Sequence, residues 1–225
     1  LADEVKAAIL KQIPLGRYGG GEDIARAALY LASDDGAYMT GQVLVVAGSV
    51  GLTGAAVLCS LGALRAGAGL VTLGVPESLQ DVVAIKLTEV MTTPLPETKA
   101  RSLALGALPT LVRAIDQVDA VAIGPGLSQQ PQTKQLVRQL LPTVTKPCVV
   151  DADGLNALAE DLKTLERLTL PVIVTPHPGE MARLTRLSTE QVQRDRERIA
   201  VEFAKRYKVV VVLKGHRTVV ADFEG

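Results

Sequence analysis

"VLVVAGSVGLTGAAVL", residues 43–58, joins an unbroken apolar run to three glycines (Gly48, Gly51 and Gly54) and then to an apolar helical pattern. A strand that is apolar at successive rather than alternate positions is covered on both faces, as inside a parallel α/β sheet. The same design recurs downstream. Candidate strands are 70–75 ("LVTLGV"), 120–124 ("AVAIG"), 147–151 ("PCVVD"), 171–175 ("PVIVT"), 209–213 ("VVVVL") and 218–222 ("TVVAD"). Helical patterns near 53–66, 77–86, 101–116, 131–141, 153–167 and 188–206 separate them, with Gly and Pro at the joints. This alternation predicts a doubly wound α/β sheet.

A chain of 225 residues fits one large domain or two small ones, and 48% hydrophobic residues suffice for a substantial core. Lys+Arg and Asp+Glu both number 24, so the net charge is zero and gives no electrostatic reason to bind nucleic acid or an anionic membrane. Aromatics are 3% with no Trp, which also argues against base-stacking platforms. Cys59 and Cys148 lie in apolar surroundings without metal or CxxC spacing, and read as buried thiols of a reducing compartment. There is no signal-peptide pattern and no charge-free apolar run of spanning length, so the chain reads as cytoplasmic. It begins at Leu1, which suggests a fragment or a processed product. "LADEVKAAILKQIP" (1–14) reads as an amphipathic helix stopped by Pro14, and "GEDIARAALYLAS" (21–33) as a second helix with an acidic first turn. Two helices and a strand do not make a domain. The expected division is a helical segment over 1–42 and an α/β domain over 43–225.

Five short motifs sit where strands end. "GSVGLTGA" (48–55) is neither GxGxxG nor a P-loop, yet it lets backbone, Ser49 and Thr53 approach a ligand; the alternative is a tight joint with Thr53 as N-cap. "GPGL" (124–127) follows a buried strand, at the edge where open α/β sheets bind ligands, or is a simple turn. In "DADGLN" (151–156), a continuing strand would point Asp151 and Asp153 to opposite sides. Asp153 and Asn156 are candidates for magnesium or phosphate-water contacts, or for a helix cap. "TPHPGE" (175–180) clamps His177 between prolines that fix its backbone, with Glu180 beside it; a lone His is more often structural. "LKGHRT" (213–218) is a strand, a glycine turn and a second strand, from which Lys214 can approach a phosphate or simply be solvated, with His216 exposed.

Over 43–225 these motifs, with "EVMTTPLPET", stand in the order in which they occur in the ADP/ATP-dependent NAD(P)H-hydrate dehydratase domain, which the sequence resembles. The resemblance implies a ribokinase-like three-layer fold. It also implies NAD(P)H-hydrate contacts at Ala55, Gly126 and His177, and nucleotide contacts at Lys214, Gly215, His216, Arg217 and Thr218. ADP or ATP and Mg2+ are the implied cofactors. Residues 3–46 instead resemble the C-terminal tail of short-chain dehydrogenase/reductases of the 3-oxoacyl-acyl-carrier-protein reductase type, with strand 43–47 fitting both families. No reductase site carries over. Tyr18, Tyr30 and Tyr38 are followed four residues on by Glu22, Asp34 and Gln42 rather than by the family's Lys.

The dehydratase resemblance also sets an expectation about chemistry. In that family a nucleotide phosphorylates the hydroxyl of the hydrate and phosphate then leaves, with a later Gly-x-Gly-Asp segment supplying the catalytic Asp. That segment lies beyond Gly225, so the expected chain is an incomplete ribokinase-like sheet with impaired turnover. Its strands at 147–151, 171–175 and 209–213 are expected to expose apolar faces and promote self-association. The alternative is a non-catalytic chimera or fragment, natural, engineered or a gene-assembly artefact, that only folds or pairs.

Overall fold

The computed structural model describes residues 41–168, 170 and 172–224, and the helices expected at 1–14 and 21–33 lie outside them. Val43–Val46 and most strands downstream repeat one logic, runs rich in Val and Ile with alternate side chains fully buried. The strands are β1 (Gln42–Val46), β2 (Leu70–Pro76), β3 (Met91–Leu95), β4 (Ala120–Ile123), β5 (Cys148–Val150), β6 (Val172–Val174), β7 (Val210–Leu213) and β8 (Val219–Ala221). They form one sheet of order β3-β2-β1-β4-β5-β6-β7-β8. All neighbours are parallel except β7 and β8, which pair antiparallel as the glycine turn predicts. Strand order runs one way from β1 and the other way from β4. The crevice between their carboxyl ends is therefore the topological switch point, where such sheets bind ligands.

Helices cover the two faces unequally. On one face α3 (Leu108–Ile115), α4 (Pro131–Leu140), α5 (Asp153–Ala159), α6 (Lys163–Glu166), α7 (Pro178–Thr185), α8 (Thr189–Arg194) and α9 (Arg196–Tyr207) bury Leu44, Val46, Val121, Ile123, Val150, Val174 and Leu213. On the other, α1 (Thr53–Arg65) and α2 (Gln80–Ala84) cover Val45, Val71, Leu73 and Val75. Because strand side chains alternate, the second face continues across Ala122, Val149, Ile173 and Val210, which lie in register. Ala122, Val149 and Val210 are partly buried and Ile173 is exposed.

Several elements differ from expectation for identifiable reasons. The pattern at 153–167 is two helices, α5 and α6. Arg138 of α4 donates to Ala157 O (3.2 Å) and to Glu160 (2.8 Å), and Lys134 pairs with Glu160, so the end of α5 is tied down. These hydrogen bonds, the Lys134 bond foremost, hold the Glu160 carboxyl below its ordinary range. The run 188–206 breaks at Asp195, whose φ of −140° and ψ of 56° lie outside the helix. Residues 77–79 and 105–107 are 3-10 turns that lead into α2 and α3. Two elements were not expected at all. β3, "MTTPL", is an edge strand, the place where a sheet tolerates Pro94. α7 begins at Pro178, inside the motif read as a proline clamp.

Candidate active site

The site is built from the segments that follow β1, β4, β5, β6 and β7, all at the carboxyl edge. At the switch point the turn after β1 locks onto the turn after β4. Gly48 N–H donates to Pro125 O (2.9 Å), Gly124 N–H to Val46 O (3.1 Å), and the buried Ser49 hydroxyl to Gly126 O (2.8 Å). A Cβ on Gly126 would lie 3.0 Å from Ala55 Cβ and 2.9 Å from Leu52 Cβ. Two predicted contact residues, Ala55 and Gly126, therefore meet in one place, and Ser49 joins them. Thr53 is not the N-cap of α1. Leu52 holds that position without a side-chain cap bond, and Thr53 is the first helical residue.

After β5 the strand does not continue, so the alternation assumed for Asp151 and Asp153 does not apply. Ala152 takes φ 51° and ψ −119°, a turn that leaves both carboxylates at the edge. Asp153 accepts Ser128 N–H (2.9 Å) and Asn156 Nδ2–H (3.1 Å), and Arg183 holds the Asn156 oxygen (2.9 Å). Asp153 thus reaches from the α5 start to the loop two residues beyond Gly126. Asp151 pairs with Lys214 Nζ at 2.5 Å and accepts its neighbour Ala152 N–H (2.8 Å). This pair was not legible: 63 residues separate its members, and only the sheet order brings the ends of β5 and β7 close enough.

His177 and Lys214 are joined through backbone, because Lys214 N–H donates to Pro176 O (2.8 Å). His177 is exposed and is also structural. Its Nδ1 accepts Gly179 N–H (3.0 Å) and Glu180 N–H (3.3 Å), while buried Glu180 accepts His177 N–H (2.7 Å). The result is a capping box in which His replaces the usual Ser or Thr. With Nδ1 accepting two amides, the ring proton sits on Nε2, 3.3 Å from Glu180 Oε1. Lys214 is not merely solvated, since its ammonium is fixed by Asp151. Gly215, His216, Arg217 and Thr218 are exposed in the turn, and Thr218 Oγ1 donates to Gly215 O (3.1 Å).

Burial pushes the Cys148 thiol up to about 12 and, ahead of the Asp151 charge, raises Cys59, so both stay protonated. Among the described residues no three His, Cys, Asp or Glu side chains cluster to cage a metal. Magnesium carried on nucleotide phosphates needs only one or two protein carboxylates, and Asp151 and Asp153 are the two that follow β5 at this edge. A groove of about 820 Å³ lies elsewhere, lined by Leu184, Ile199 and Phe203 among others. At its rim Arg198 is paired to Asp195 and Glu202, and its lining contains no strand residue.

A switch-point crevice joined to a Lys-Gly turn suits a nucleotide enzyme of the kinase type, and the family model for NAD(P)H-hydrate dehydratase matches residues 43–225. The chain belongs to the NAD(P)H-hydrate dehydratase family. It is 52% identical over 185 residues to the bifunctional NAD(P)H-hydrate repair enzyme of Moorella thermoacetica, covering 82% of this chain and 35% of that protein. It is 36% identical to the ADP-dependent (S)-NAD(P)H-hydrate dehydratase of Bacillus subtilis, covering 82% of this chain and 62% of the relative. The chain thus spans about a third of the bifunctional relative and under two thirds of the single-function one. A Bacillus subtilis ADP/ATP-dependent NAD(P)H-hydrate dehydratase co-crystallised with ATP/Mg2+ superposes with a TM-score of 0.65 at 34% identity, over 86% of this chain and 64% of that one. A ribokinase-like superfamily protein of Enterococcus faecalis shares the fold, with a TM-score of 0.65 at 23% identity over 81% of this chain and 60% of that one. A second model, enoyl-(acyl carrier protein) reductase, matches residues 1–52 and overlaps the dehydratase match over β1 and the turn that follows. Too short to set the family, it covers the stretch read as a reductase tail.

Proposed function

We propose that this edge binds NAD(P)H hydrate and ADP or ATP, and serves the nucleotide-dependent dehydration that restores NAD(P)H. The carrying observation is the continuity of the edge. Ser49, Ala55 and Gly126 form a close-packed platform at the switch point, and Asp153 and Asp151 connect it to the Lys214 turn. The hydrate rests on the Ala55–Gly126 platform with His177 at its rim, and the nucleotide phosphates lie along Lys214–Thr218. The hydrate's hydroxyl oxygen attacks the terminal phosphorus, its proton passes to solvent, and the bond to the rest of the nucleotide breaks. Phosphate then leaves with the C–O electrons while the neighbouring carbon gives a proton to solvent, and the ring double bond returns. Such transfers depend on alignment and on charge stabilisation. Lys214 supplies the cation and turn amides supply donors; Mg2+ carried on the nucleotide would be held beside Asp153 and would offset phosphate charge.

No general base is assigned, because every carboxylate named at the edge is engaged. Asp151 is held by Lys214, Asp153 by Ser128 and Asn156, and Glu180 by the His177 cap. The 225-residue polypeptide is therefore expected to bind both ligands and to turn over slowly. The same occupancy favours a second reading, a non-catalytic chimera or fragment. The partly exposed apolar row of β4–β7 supports self-association, and the free thiols of Cys59 and Cys148 support a cytoplasmic setting. Thermal-shift titration with ADP, ATP and NADH hydrate, followed by a coupled dehydration assay with ADP, separates these readings. A rise in melting temperature with ADP and slow turnover are expected. No response to any nucleotide selects the non-catalytic reading, and turnover at the rate of the Bacillus relative removes the impairment.

A further inference from the structure

Arg196 stands at the first position of α9, where the helix dipole disfavours a cation. Its guanidinium leaves the helix and runs behind the Lys214 turn. Nη2 donates to Leu213 O (2.8 Å) and Lys214 O (3.2 Å), and Nη1 to Gln193 Oε1 (2.9 Å). Its buried Nε has no hydrogen-bond partner among the described residues. The group is also packed against Gly215, where a Cβ would fall 3.0 Å from Nη1, 3.2 Å from Nη2 and 3.4 Å from Cζ. Gly215, at φ 141°, is thus required twice, by its backbone angle and by the guanidinium that fills its side-chain space.

We infer that Arg196 is a positioning residue for the nucleotide phosphates, an inference that rests on the nucleotide reading of Lys214–Thr218. Two carbonyl oxygens at the end of β7 otherwise present negative dipole ends at the turn. One guanidinium nitrogen caps both and places a permanent cation behind the backbone. The N–H groups of Gly215, His216 and Arg217 have no protein acceptor among the described residues. Arg217 adopts φ 55° two residues after Gly215, so the turn holds two positive-φ positions with His216 between them. Lys214 holds the front of the site through Asp151, and Arg196 holds its back.

The test is calorimetric titration of the 225-residue chain and its Arg196→Met, Arg196→Lys and Lys214→Met variants with ADP and, separately, with NADH hydrate. Arg196→Met is expected to weaken ADP about ten-fold, with hydrate affinity held within about two-fold. Arg196→Lys should recover part of the loss, since an ammonium keeps the charge but lacks the fork that spans two carbonyls and Gln193. Retained ADP affinity in Arg196→Met, with loss in Lys214→Met, overturns the inference and leaves the nucleotide site standing. ADP affinity indifferent to both variants, or absent from the unsubstituted chain, overturns the nucleotide reading itself. Should Arg196→Met fail to fold, Arg196→Lys decides: selective loss of ADP supports positioning, and equal loss of both ligands shows a structural role only.

Discussion

Gly124 lets β4 and β5 end close enough to share a site. A Cβ there would lie 1.8 Å from Asp151 O and 2.9 Å from its carbonyl carbon, and the backbone is at φ 129°. The obstacle is main chain rather than a side chain that can swing away, and Asp151 is the partner of Lys214. Gly124→Ala is therefore expected to cost about 3 kcal/mol or more in urea unfolding. Gly51, at φ 80° with nothing within 4 Å of its Cβ position, separates conformation from crowding. Gly51→Ala should cost only about 1 kcal/mol, the strain of the backbone angle. Equal losses at the two positions would show that close approach contributes nothing. In the sequence both glycines look alike, one each in "GSVG" and "GPG". What distinguishes them is the Asp151 carbonyl, supplied from 27 residues away.

At the scale of elements, α7 joins architecture to recognition through one side chain. His177 caps the helix with Nδ1 while its ring is exposed at the rim of the proposed hydrate site, so cap and contact can be separated. His177→Ala should lower stability by about 1 kcal/mol, the usual cost of a lost cap. His177→Asn should restore most of that stability, because the Asn side-chain oxygen accepts the same amides. Hydrate affinity should fall in both variants. Rescue of hydrate binding by Asn would reduce His177 to a cap, and unchanged melting in His177→Ala would remove the cap. The central strands were legible because β1, β4 and β7 carry runs of Val and Ile with little else to be. α7 was not, although proline at the first helical position and Glu180 three residues after the cap are standard start signals. A histidine in the cap position hid them. β3 was hidden by Pro94, which only an edge position permits. The candidate residues came from motifs near strand ends and from the family resemblance, whereas Asp151–Lys214 and Arg196 are pairings of distant segments that no local pattern encodes.

For the whole molecule, the second sheet face bears on association. Ala122, Val149, Ile173 and Val210 form an in-register apolar row across β4–β7, with Ile173 37% exposed. Leu58 of α1 and Val220 of β8 add 74% and 67% exposed apolar surface. Each Å² of such surface withdrawn from water contributes about 25 cal/mol, which is the term that would favour pairing of two copies through this face against the entropy of association. The competing route is edge pairing at β8, which is three residues long and therefore offers few backbone partners. Sedimentation velocity of the 225-residue polypeptide should show concentration-dependent association in the micromolar range. Ile173→Lys, a charge set between Val149 and Val210, should shift it to monomer without changing ADP affinity, because its side chain lies on the open face and not at the carboxyl edge. Association that survives Ile173→Lys but fails when Val220 is replaced by proline would locate the contact at the β8 edge instead.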